Sequence, residues 1–229
     1  MNEVLTVLLL TAMAGAAMPV GAWIARLENI HPEWLQREFR HSVIAFGGGV
    51  LLSAVALVLV PYGIETQSVP GTIVAMVLGG LSFMLLDILL ARSQSSAAQL
   101  MAMLADFIPE AMAMGAGFAV GDSVGLVLVL LIALQNLPEG FNAYRELASH
   151  SDFQPRRVIW SFVALVPLGP LSGMIGYFWL APHPPLVGCV MLFASGGILY
   201  LTFQDLAPQA KLERHCGMPE KVAPRLMKI

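Results

Sequence analysis

The sequence predicts an all-α integral membrane protein, a bundle of seven transmembrane helices. Three observations predict it. The apolar residues come in long blocks rather than in an amphipathic period, the seven blocks each match the thickness of a bilayer, and every basic residue falls on one side of the resulting alternation. Of 229 residues, 57% are hydrophobic and 12% are charged, whereas a soluble domain carries roughly 25% charged residues. Mean hydropathy is +0.75. A helix rises ~1.5 Å per residue, so ~30 Å of hydrocarbon takes about 20 residues. Transmembrane strands would be about 10 residues of alternating polarity, which these blocks are not.

The blocks lie at residues 4–24, 42–64, 71–91, 97–120, 123–144, 158–181 and 186–207. The first opens Met-Asn-Glu, lacks a basic leader and exceeds the apolar stretch of about 7–15 residues in a signal peptide, so it is expected to stay as a span. Arg26, Arg37 and Arg40 follow span one, Arg92 follows span three, and Arg145, Arg156 and Arg157 follow span five. Lys211, Arg214, Lys221, Arg225 and Lys228 follow span seven, completing the twelve basic residues. Loop bias of Lys and Arg sets orientation. The expectation is an N-terminus outside and a C-terminus in the cytoplasm, in a plasma (inner) membrane, with residues 1–208 as the membrane domain and 209–229 as a basic cytoplasmic tail.

The basic residues are interfacial anchors rather than a nucleic-acid patch, and the net charge of −3 points to no partner. Cys189 and Cys216 fall on opposite sides and lack metal-ligand spacing. The histidines, His31, His41, His150, His183 and His215, lie in loops, at span ends or in the tail.

Ionisable groups inside a bilayer cost several kcal/mol each, which makes them functional candidates. Asp87 and Asp205 sit near cytoplasmic span ends, and Asp122 suits a turn or cap. Asp106, Glu110 and Glu139 remain deep. They occur in two related segments, Asp106-Phe107-Ile108-Pro109-Glu110-Ala111 in span four and Gln135-Asn136-Leu137-Pro138-Glu139-Gly140 in span five. In each, a polar residue precedes the glutamate by four, on one helix face. Each glutamate follows a proline, which removes a backbone N–H bond and crowds the carbonyl four residues earlier, here Ala105 or Leu134. Measured by helix rise from the turn near Gly121, Asp106 lies ~22 Å down and Gln135 ~21 Å down. Glu110 is about one turn shallower and Glu139 about one turn deeper, making one polar column about two turns long. Carboxylate and amide oxygens suit hard divalent cations, and a cation would join carboxylates that otherwise repel. Gln135 and Asn136 also fit as interhelical hydrogen-bonding partners. Gly47–Gly49, Gly79-Gly80, Gly115 to Gly117, Gly169 to Gly176 and Gly196-Gly197 allow close helix packing.

At these residues the chain resembles the ZIP family of divalent metal transporters. Ile108-Pro109-Glu110 and Asn136-Leu137-Pro138-Glu139-Gly140 are similar to that family's paired motifs in helices four and five. Phe46-Gly47-Gly48-Gly49-Val50-Leu51-Leu52 resembles its second helix. Phe193-Ala194-Ser195-Gly196-Gly197-Ile198-Leu199-Tyr200 with Asp205-Leu206-Ala207-Pro208 resembles its seventh. The resemblance implies inverted repeats, a homodimer, and a binuclear metal site with Glu110, Glu139, Gln135 and Asn136 as ligands. Asp106 stands where the family motif has histidine, Phe107 where it has asparagine, and Gln135 where many members have histidine. Residues 57–61 lack the histidine that often ends the second helix, and seven blocks stand against the family's usual eight.

The expected function is therefore transport of a divalent cation (Zn²⁺, Mn²⁺, Fe²⁺ or Cd²⁺ as substrate) toward the cytoplasm through spans two, four, five and seven. The alternative is a metal-binding membrane sensor, or a degenerate carrier without flux. An intramembrane aspartyl hydrolase using Asp106 and Asp122 is excluded by the ~22 Å difference in depth between them. No enzymatic activity is expected.

Overall fold

The computed structural model describes residues 3–28, 33–91, 96–148 and 154–206. No strand occurs among them. Helix α1 (Glu3–Leu27) is followed by α2 (Glu33–Ala54), which runs through a π-helical turn (Val55–Leu59) into α3 (Val60–Thr66). Then come α4 (Val69–Ala91), α5 (Ser96–Val120) and α6 (Asp122–Leu147). Helices α7 (Pro155–Leu165) and α8 (Leu168–Ile175) lead into a second π turn (Gly176–Leu180), and α9 (Pro184–Leu201) ends in a third (Thr202–Leu206).

Six of these rods are long and apolar enough to cross a membrane: Glu3–Leu27, Glu38–Thr66, Val69–Leu90, Ser123–Arg145, Pro155–Leu180 and Pro184–Gln204. The remaining expected span, the fourth, coincides with α5, a 25-residue helix whose side chains are described from Phe107 onward. The basic tail, with Cys216, and His31, Arg92 and His150 lie outside the described residues.

Three boundaries differ from the sequence expectation. Helix α2 begins at Glu33, nine residues before the apolar block, so Arg37 and Arg40 ride on a helix rather than in a loop. Arg145 likewise belongs to the last turn of α6. The sixth span is not one continuous helix: a turn at Val166–Pro167 separates α7 from α8. Pro167 and Pro170 have no N–H to give the helix there. Helices α5 and α6, by contrast, continue through Pro109 and Pro138.

Ties between helices show which ends meet. At one end the Tyr177 hydroxyl donates to Glu3 at 2.6 Å, and the Gln67 amide donates to the Pro185 carbonyl. At the other, Arg145 pairs with Glu28, and the Tyr200 hydroxyl donates to Asp87 at 2.9 Å. Successive rods therefore alternate in direction, and α1 runs parallel to α6 as α4 does to α9. Helices α1, α5, α6 and α7–α8 pack on one another, as do α3, α4 and α9, while α2 lies against α6.

Reciprocal glycines hold the closest crossings. A side chain on Gly21 of α1 would overlap the Leu137 carbonyl of α6, and one on Gly140 would overlap the Met18 carbonyl of α1. Gly79 and Gly196 do the same for α4 and α9, and Gly115 and Gly176 for α5 and the α8 extension. Without lipid-versus-helix hydrophobic contrast, such backbone contact is what associates helices in a membrane. The outward surface is apolar: Ile73, Val77, Leu81 and Leu85 of α4 are all exposed. Trp160 and Trp179, 69% and 78% exposed, stand at opposite ends of the broken sixth span.

Candidate functional site

Glu110 of α5 and Gln135 of α6 meet between their helices. Each is only 2% exposed, and the Gln135 side-chain N–H donates to Glu110 Oε1 at 2.6 Å. A carboxylate removed from water depends on such donors, because its charged form otherwise loses several kcal/mol of hydration. Gln135 thus meets Glu110, which helix rise had put about one turn shallower, while the Asp106 side chain expected level with Gln135 lies outside the described residues.

Asn136, fully buried, turns toward α1 and donates its amide N–H to the Ala14 carbonyl at 2.9 Å. The approach is possible because Gly21 and Gly140 let α1 and α6 cross closely just below. The amide donors are thus committed, Gln135 to a carboxylate and Asn136 to a backbone carbonyl. Their carbonyl oxygens, Gln135 Oε1 and Asn136 Oδ1, are buried with no hydrogen-bond partner among the described residues. Buried acceptors in that condition are uncommon and call for an explanation. Carboxylate and open amide oxygens are donors of the kind a hard cation takes.

Glu139, half-buried, follows one turn below Gln135 on the same face of α6. Pro138 between them packs on Gly47 of α2, which brings the glycine-rich second helix against the carboxylate-bearing turn. Phe107 is buried, and its ring packs into the hollow left by Gly15 of α1 and Gly169 of α8. That position is a steric wedge, which accounts physically for an apolar residue in a polar segment. The Asp106 and Asp205 side chains lie outside the described residues. Among those described, no three His, Cys, Asp or Glu side chains converge as a metal site. The cluster is a carboxylate–amide one.

Two features escaped sequence reasoning. The Glu28–Arg145 pair joins the lower ends of α1 and α6, with the Glu28 side chain 5% exposed. Asn142, three residues beyond Glu139, also buries a carbonyl oxygen without a partner among the described residues. The i, i+3 spacing of Glu139, Asn142 and Arg145 was the available signal for both. Asp87, by contrast, accepts a hydrogen bond from Tyr200 near the end of α4.

No protein-family model matches the chain. Among curated proteins it is similar to the zinc transporter zipt-7.1 of Caenorhabditis briggsae, with 29% identity over 115 residues. The similarity covers 47% of this chain and 29% of that protein, so the chain spans less than a third of the relative's length.

Proposed function

We propose that this chain is a ZIP-like carrier that moves a divalent metal cation across the membrane toward the cytoplasm. The observation that carries the reading is the buried Glu110–Gln135 pair between two proline-bearing helices, with the Gln135 carbonyl oxygen open. The similarity to a zinc transporter supports the substrate class. The substrate would be bound by Glu110 and Glu139, with Gln135, Asn136 and Asp106 completing an oxygen field. Seven spans, an outside N-terminus, a cytoplasmic C-terminus, a plasma-membrane location and a homodimer complete the proposal.

Carboxylates so placed repel each other and have lost hydration; a bound divalent cation offsets both. Glu110→Gln and Glu139→Gln keep shape while removing charge. Cation uptake into proteoliposomes should fall steeply in each and vanish in the double variant, while thermal stability rises or holds, because a neutral amide is easier to bury. Binding should weaken as pH falls, since protons compete for the same oxygens. Unchanged uptake in both single variants would sink the reading, and cation binding without uptake in the parent would identify a sensor instead.

An oxygen field with no imidazole is harder than a histidine site, so Mn²⁺ and Fe²⁺ should compete well against Zn²⁺ and Cd²⁺. Asp106→His should shift the ranking toward Zn²⁺. An unchanged ranking removes Asp106 from the ligand set.

A further inference from the structure

Helix α6 turns a different residue toward each neighbour. Asn136 donates to the Ala14 carbonyl of α1, and Gly140 lies on the Met18 carbonyl of the same helix. Pro138 packs on Gly47 of α2, and one turn lower the Phe141 ring meets Phe39 of α2 edge-on, centroids 5.8 Å apart. Gln135 meets Glu110 of α5. Asn142 comes four residues after Pro138 and seven after Gln135. At 3.6 residues per turn it therefore lies between the α2-facing and α5-facing lines, turned away from α1. Glu139, four residues after Gln135, stands on the same inward stripe. The Asn142 carbonyl oxygen is buried there with no hydrogen-bond partner among the described residues.

An asparagine that glues helices together spends its amide on a neighbouring backbone, as Asn136 does on Ala14. A buried acceptor left open costs stability that an apolar residue at the same place would not. Glu139 and Asn142 sit three residues apart within the regular helix α6, so their Cβ atoms are ~5–6 Å apart. This is the spacing by which a Glu-x-x-His pair on one helix holds a metal in carboxylate-bridged bundles. Cation–oxygen distances of about 2.3–2.6 Å let both side chains reach one ion. We propose that Asn142 is a cation ligand and, with Glu139, forms a lower divalent-cation station in the cleft between α2 and α5. The station begins about one turn below Gln135 and ends about two turns below it, ~10 Å toward the basic end. A cation leaving Glu110 and Gln135 steps down the stripe to Glu139 and Asn142. One carboxylate with a neutral amide holds a cation less tightly than two carboxylates, and conduction requires release as well as capture. The station deepens the transport reading and rests on it for the direction of movement, whereas its binding of a cation is measurable without transport.

Equilibrium binding of Zn²⁺ and Mn²⁺ to the purified full-length chain in detergent tests it. Asn142→His turns the pair into Glu-x-x-His and should raise Zn²⁺ affinity on the order of tenfold, with no gain for Mn²⁺. Adding Glu139→Gln should abolish that gain, and adding Glu110→Gln should leave it in place. A folded Asn142→His with the parent's Zn²⁺ affinity overturns the station, because an asparagine that only packs has no cation to pass to an imidazole. A gain that survives Glu139→Gln overturns it too. If the gain appears but the parent carries no cation into liposomes, the station stands and the transport reading falls; transport without the gain gives the reverse. Should Asn142→His fail to insert, Asn142→Ala and Asn142→Asp decide by Mn²⁺ counted per chain. The alanine variant should hold one Mn²⁺ fewer than the parent and the aspartate variant as many. An unchanged count in the first, or a loss that aspartate does not restore, overturns the proposal.

Discussion

The α1–α6 and α4–α9 seams are built the same way and filled differently. Both pair parallel helices, both cross on reciprocal glycines (Gly21 with Gly140, Gly79 with Gly196), and both are tied by a polar pair at the basic end (Glu28 with Arg145, Asp87 with Tyr200). Beside the crossing, the α4–α9 seam satisfies its polar residue within one helix. Its buried Ser195 donates to the Met191 carbonyl of its own helix at 2.7 Å. The α1–α6 seam instead buries Asn136, which bonds to α1 and leaves its own carbonyl oxygen open. Since the second seam packs without such groups, packing does not explain them in the first. On the proposed transport reading their open oxygens face a cation.

The comparison breaks most severely at the glycines. Gly140→Leu and Gly196→Leu each drive a side chain into a backbone carbonyl that cannot move aside, so both should cost about 3 kcal/mol or more. Thermal unfolding in micelles should show equal damage. A tolerant Gly140 with an intolerant Gly196 would mean that the α1–α6 crossing is loose and that the seams are not alike. Next come the buried polar residues. Asn136→Leu should lower cation affinity about 10- to 100-fold, whereas Ser195→Ala should leave affinity alone and cost about 1 kcal/mol; equal effects on affinity would erase the functional distinction. The smallest effect is expected at the tie. Tyr200→Phe removes the hydroxyl bound to Asp87 and should cost about 1 kcal/mol with uptake unaltered. A transport defect there would show the second seam to be part of the path.

Much of this was legible in the chain. Block lengths foretold the helices because a bilayer admits little else, and Pro-Glu repeats on consecutive spans foretold one polar column between α5 and α6, though with Asp106 rather than Glu110 level with Gln135. What stayed hidden has physical causes. Arg145 counted as a loop residue because charge at a span end reads as interface, and only the nearness of Glu28 on a distant segment shows it turned inward. The break at Val166–Pro167 lay inside an unbroken apolar run, where hydropathy has no contrast to offer. Gly140 read as a motif residue, yet it is also the contact that admits α1. Phe107 looked like a lost ligand until Gly15 and Gly169 showed the volume it fills.

The two exposed tryptophans give the molecule a built-in ruler. Trp160 and Trp179 flank the broken sixth span, nineteen residues apart, or at most ~28 Å, since the break and the π turn shorten the ideal helical path. Indole rings settle at the headgroup boundary, and this separation is of the order of an average hydrocarbon layer, ~30 Å. A thicker or thinner bilayer would pull one ring off its boundary, at a cost of fractions of a kcal/mol per ångström. The hinge at Val166–Pro167 lies between the two anchors and is where that mismatch would be absorbed.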